Sequence, residues 1–155
     1  MQLILWRHAE AEDDAPSDMA RCLTAKGRKQ AAKMAAWMTA QVGGDLDPWR
    51  VIASPATRAQ QTAATLQANF ETVHSIAPDA MPAAILQAAG WPNAGKNVLV
   101  VGHQPTLGMA AAFLINGVDG YVSVKKGAMW WFETRERDGK PQSVLKAMAS
   151  PDSVV

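Results

Sequence analysis

The chain has one cysteine, Cys22, one tyrosine and three phenylalanines among its 155 residues. A lone cysteine cannot close an internal disulfide, so no disulfide framework holds this fold together. Cys22 reads as a small, partly buried side chain. No apolar run approaches the ~20 residues that span a bilayer as a helix. Neither sign of charge dominates: 15 Lys and Arg stand against 14 Asp and Glu, for a net charge of +1. Such a balance gives no chain-wide positive field. No nucleic-acid and no membrane partner is therefore expected, and any recognition of anions must be local. No basic segment precedes the short apolar run Leu3–Trp6, which is far shorter than the core of a secretion signal. The expectation is a cytoplasmic protein.

Apolar residues make up 48% of the chain and charged residues 19%, the balance of a globular protein. The length suits one domain over residues 1–155. Leu3–Trp6, Val51–Ala53 and Val98–Val101 are short, fully apolar runs of the kind buried on both faces of a sheet. Between the first two, Ala31, Met34, Ala35, Met38 and Val42 recur at helical spacing, with Thr24 as a candidate cap and Gly43-Gly44 as a stop. Lys26, Arg28 and Lys29 fall in the first turns of that helix, where its dipole disfavours cations. Ser54-Pro55 reads as the N-cap and first position of a second helix carrying Ala59, Ala63, Leu66 and Phe70 on one face. A strand over 72–76, a helix over 81–89 closed by Gly90, and an apolar helix ended by Asn116-Gly117 are expected next. Strands over 121–124, 129–134 and 144–149 follow, with a turn at Asp138-Gly139 and a loose tail from Ser150. One of the paired indoles Trp130 and Trp131 should face the core. Helices alternate with strands early, and hairpin-like strands come late. The pattern predicts a three-layer α/β/α fold with a mostly parallel central sheet and an antiparallel edge.

Three of the strands end in polar chemistry. The first runs into Arg7-His8, the second into Ser54-Pro55-Ala56-Thr57-Arg58, and the 98–101 strand into Gly102-His103. Ligands of open α/β sheets bind beyond the carboxyl ends of the strands, so two arginines and two histidines are expected to meet there. Arginine offers a planar fork of donors matched to phosphate oxygens. Nearby positive charge keeps a histidine neutral, the form in which it is a nucleophile. The set suits phosphoryl transfer, in which positioning and charge compensation carry most of the catalysis.

Leu3–Ala9 resembles the Arg-His-Gly signature of the histidine phosphatase superfamily, the phosphoglycerate mutase-like fold. Ser54–Thr62 resembles its Ser-Pro-x-x-Arg-Ala-x-Gln-Thr motif, Val98–Pro105 its strand ending in Gly-His, and Asp18–Gly27 the segment between the first two motifs. The motifs stand in family order. The compact length and the Arg-His-Ala variant are most similar to the bacterial phosphohistidine phosphatases of the SixA type. The resemblance implies that His8 attacks phosphorus and becomes phosphohistidine, that Arg7, Arg58 and His103 hold the phosphoryl oxygens, and that Arg21 lies at the pocket rim. No metal and no organic cofactor is expected, because Arg7 and Arg58 already supply positive charge where a metal would otherwise do so. Ala9 stands where glycine is usual, and Cys22 where proline is common. Many members use a carboxylate downstream of the second motif as general acid. Here Asp79 is the nearest candidate, with Glu10 and Glu12 as others.

Residues 59–102 separate Arg58 from His103, and the expected helix, strand and second helix consume most of them. Little chain remains for a lid, so an open pocket is expected, suited to a phosphorylated side chain on another protein. Phosphohistidine leaves as imidazole and needs no positioned acid, whereas an alkoxide does. The expected substrate is phosphohistidine on a protein such as a histidine phosphotransfer domain. The alternatives are a small-molecule phosphomonoesterase of the same family and a phosphate- or phosphoprotein-binding module without turnover. A metal hydrolase built on His8, Glu10, Glu12 and His103 is disfavoured because Arg7 and Arg58 would repel the cation. Gly90–Asn97 nearly matches a phosphate-binding P-loop, but Asn97 replaces the Ser or Thr, and the segment precedes its strand instead of following it. His74 carries no partner motif and reads as structural.

Overall fold

The computed structural model describes all 155 residues. Leu3 to Trp6 are fully buried, and the strand they form, β1 (Gln2–Arg7), sits inside a six-stranded sheet. The other strands are β2 (Arg50–Ala53), β3 (Glu71–Thr72), β4 (Val98–Gly102), β5 (Met129–Arg137) and β6 (Lys140–Ala149). Their order is β3-β2-β4-β1-β5-β6. The first four run parallel, and β5 pairs antiparallel with both β1 and β6. This is the parallel sheet with an antiparallel edge that the sequence predicts.

Side chains alternate across the sheet. Ile4, Trp6, Leu99 and Val101 enter one core with α1 (Ala25–Gln41) and α2 (Thr57–Ala64). Leu3, Leu5, Val98 and Val100 enter the other with α3 (Pro82–Ala89) and α4 (Thr106–Asn116). Three layers result. Trp131 joins the first core, while Trp130 and Phe132 face the second, as alternation along β5 requires; the register shift beside them leaves Lys146 of β6 without a partner in the ladder. No helix is long and apolar enough to cross a membrane.

Thr24 caps α1, its hydroxyl oxygen accepting from the Gly27 N–H at 2.9 Å. The same hydroxyl donates to Glu10 Oε2 at 2.8 Å. Glu10 thus supplies, from a distant loop, the negative charge that the Lys26, Arg28 and Lys29 turns lack. A Cβ at Gly27 would run into the Glu10 backbone carbonyl. Gly27→Ala should therefore cost about 1–3 kcal/mol of stability, read as a lower urea midpoint with an unchanged slope.

Four local expectations differ from the structure. Helix α2 begins at Thr57, with Ala56 as its N-cap, because Ser54 is engaged elsewhere, and it ends at Ala64, so Leu66 and Phe70 lie beyond it. The third strand is only Glu71–Thr72, followed by a 3₁₀ turn at His74–Ile76 that leaves His74 exposed. Residues 121–124 form no strand. The Val122 N–H donates to the Gly108 carbonyl at 3.2 Å, its carbonyl accepts from Gln104 Nε2 at 3.2 Å, and the segment lies along α4. The tail is not loose: Val154 is buried in the first core, and the Pro151 carbonyl accepts from Lys33 Nζ at 2.8 Å.

Candidate active site

Adjacent parallel strands β2, β4 and β1 finish at the same edge, and the loops leaving them meet there. The His8 N–H donates to the Gly102 carbonyl, and the Ser54 N–H to the Val101 carbonyl, each at 3.1 Å. The second motif ties these loops together. Thr62 Oγ1 donates to the Arg58 carbonyl at 2.7 Å and accepts from the Ala9 N–H at 3.2 Å. Gln60 Nε2 donates to the Ser54 carbonyl, and Gln61 Oε1 accepts from the Leu23 N–H, both at 2.7 Å. Ala9 is fully buried and adopts no positive φ, so alanine serves where glycine is usual.

A pocket of about 300 Å³ opens at this edge, and its lining includes Arg7, His8, Arg21, Arg58, Asp79 and His103. The His8 and His103 ring centroids are 5.2 Å apart. His8 Nδ1 lies 2.7 Å from the Ala9 carbonyl. A carbonyl only accepts, so Nδ1 carries the proton and Nε2 keeps its lone pair. Arg58 Nε donates to that Nε2 at 3.3 Å. Burial first, then His103, Arg58 and Arg7, lower the His8 pKa from 6.5 to about 3, against the opposing pull of the Ala9 carbonyl.

His103 Nε2 lies 2.7 Å from Ser54 Oγ, which itself accepts from the Ala56 N–H at 3.2 Å. With that lone pair used, the Ser54 hydroxyl can give its proton to Nε2 and leave Nδ1–H as a donor. His103 Nδ1 and Arg7 Nε are both buried and have no partner. An unpaired buried donor costs about 1–3 kcal/mol, a cost that an oxyanion in the pocket would remove. Burial, with Arg58 next, lowers His103 to about 4.

Both imidazoles therefore stay neutral in the folded protein well below their ordinary pKa of 6.5. The unfolded chain binds more protons between about pH 4 and 6.5, so stability falls as pH drops through that window. Imidazole NMR should show both rings unprotonated down to about pH 5, and the urea midpoint should decline over the same range.

The sequence did not single out Asp18, which is the partner of Arg58. Arg58 Nη2 pairs with Asp18 Oδ2 at 3.1 Å, and Nη1 donates to the Asp18 carbonyl at 2.7 Å. Burial pushes the Asp18 carboxyl up, but Arg58, and then Arg21 at 3.3 Å, outweigh it and hold it below the usual carboxylate range. Arg21 is further fixed by donating from Nε to the Glu12 carbonyl at 2.7 Å. Asp79 lies exposed at the pocket with φ +69°. Gln104 and Lys126 complete the polar lining. Glu10, spent on Thr24, does not line the pocket, nor does Glu12.

Residues 3–81 match the description of the histidine phosphatase superfamily, branch 1. The chain is 30% identical to the phosphohistidine phosphatase SixA homolog of Haemophilus influenzae, with 97% of each chain covered. It is 34% identical to the phosphohistidine phosphatase SixA of Escherichia coli, with 76% of each covered. A solved structure of the protein histidine phosphatase SixA complexed with tungstate superposes with a TM-score of 0.82, at 27% identity over 98% of both chains.

Proposed function

Because the chain belongs to the histidine phosphatase superfamily and is a phosphatase, we propose that it hydrolyses phosphohistidine on proteins such as histidine phosphotransfer domains, through a phosphoenzyme on His8. The observation that carries this reading is the unprotonated His8 Nε2 beside Arg58 Nε, in a pocket also lined by Arg7 and His103, each of which has a buried nitrogen without a partner.

The phosphoryl oxygens take the Arg7, Arg58 and His103 donors, which leaves the His8 lone pair facing phosphorus. His8 Nε2 forms the new P–N bond as the substrate's P–N bond breaks, and the electron pair of the broken bond stays on the departing imidazole nitrogen. Protonated beforehand from solvent on its other nitrogen, that imidazole leaves neutral. Water then attacks phosphorus on His8. Its proton passes to solvent or phosphate, His8 Nε2 regains its lone pair, and inorganic phosphate departs. That the similar SixA was solved complexed with tungstate, itself an oxyanion, supports this reading.

The protein substrate is supported by the short connections between Arg58 and His103: α2, β3, the 3₁₀ turn, α3 and β4 follow one another with no connecting segment longer than 90–97, which leaves no room for an inserted lid. The one observation that favours a small phosphate ester is Asp79, a carboxylate at the pocket able to serve as acid for an alkoxide. Comparing kcat/KM for a phosphohistidine protein, sugar phosphates and a phosphoserine peptide decides between them. The protein should be preferred. A clear preference for either ester overturns the substrate and leaves the phosphatase standing.

A further inference from the structure

Beside the catalytic pocket, α3 and α4 leave an apolar groove of about 150 Å³. Leu86, Met109 and Phe113 line it together with Pro82 and Ala83, and Asp119 is its one charged lining residue. Large apolar side chains are exposed around it: Met81 at 69%, Tyr121 at 56% and Phe113 at 42%. Clustered exposure of this kind marks an interaction site, whereas scattered single residues do not.

The groove neighbours the phosphoryl site along two stretches of chain. Pro78 and Asp79 line the pocket and Pro82 and Ala83 the groove, within one segment that Thr106 Oγ1 pins to α4 by donating to the Ala80 carbonyl at 2.7 Å. Gln104 lines the pocket and donates from Nε2 to Tyr121 Oη at 3.2 Å. From Thr106 to Phe113 is about two helical turns, ~10 Å. A chain that enters the pocket from the side of Asp79 and Gln104 passes these residues.

We propose that the α3–α4 groove docks a helix of the phosphorylated protein, with an apolar side chain about two turns from the phosphohistidine against Phe113 and a cation facing Asp119. The occupant is chosen by the groove's place next to the phosphoryl site and by its single negative charge. The proposal rests on the phosphohistidine reading of the pocket and extends it to partner recognition.

Phe113→Glu and Asp119→Lys, both at exposed positions, test it with two probes: a chemically phosphorylated histidine phosphotransfer domain and free phosphohistidine. Each variant should lose roughly tenfold or more in kcat/KM for the protein, through KM. Turnover of free phosphohistidine should not change. Equal losses on both probes, or no loss on the protein, overturn the docking role while the pocket reading stands. A wild type inactive on both probes but active on esters removes the phosphohistidine reading and this proposal with it. Sedimentation covers the other occupant: a wild-type dimer that Phe113→Glu converts to a monomer assigns the groove to a second copy and overturns the proposal.

Discussion

His8→Ala is expected to lower kcat on the order of 10⁴-fold or more, the scale seen when the nucleophile of a covalent mechanism is removed. The loss should be nearly independent of substrate, because phosphohistidine and phosphate esters would pass through the same phosphoenzyme. Truncation removes Nε2, which no neighbour can replace: its hydrogen-bond partner Arg58 Nε is a permanent donor, and His103 turns its Nε2 to Ser54. Anion binding should survive, since the Arg7, Arg58 and His103 donors remain. Tungstate binding retained by an inactive, folded His8→Ala protein would separate the chemical step from binding. Turnover within tenfold of wild type would remove His8 from the mechanism.

Arg58→Ala should cost roughly 10²–10³ in kcat, the usual effect of losing one donor aimed at developing charge. Arg58 is almost wholly buried, and it faces His8 with Nε while Asp18 holds both of its Nη atoms. Its guanidinium is thus oriented before any substrate arrives, and little reorganisation is left for the reaction itself. Lysine should rescue poorly, since a point charge cannot reproduce a fork fixed at three positions. Asp79→Asn should cost far less with a phosphohistidine substrate, because imidazole leaves without a positioned acid. A loss at Asp79 comparable to that at Arg58 would identify it as the acid and shift the substrate toward phosphate esters.

The parts of this molecule that could be read from the sequence share a physical cause. Leu3–Trp6, Val51–Ala53 and Val98–Val101 are continuous apolar runs, as strands covered on both faces must be, and each ends abruptly in chemistry. Arg7, His8, Arg58 and His103 therefore announced both their element and their place at its end. Asp18 did not, because its pairing with Arg58 joins an exposed loop to a helix forty residues on and leaves no periodic trace. Ser54 misled for a local reason. Ser-Pro is a good helix start, but here the Ser54 hydroxyl lies against His103 and the helix opens at Thr57. Tyr121–Val124 alternates like a strand, yet Gly108 lets its backbone approach α4 so closely that a Cβ there would strike the Val122 carbonyl. Competition for a backbone by a distant glycine is invisible to any local pattern. Glu10, named as a candidate acid, instead completes the cap of α1 through Thr24.

The most direct test of the mechanism is the covalent intermediate itself. Wild-type protein mixed with a phosphorylated histidine phosphotransfer domain and quenched in alkali within the first turnover should yield one phosphoryl group on the peptide that contains His8. The bond should be stable in base and lost in acid. Release of phosphate with no phosphorylated enzyme at any quench time, or a phosphoryl group on a different residue, would contradict the account.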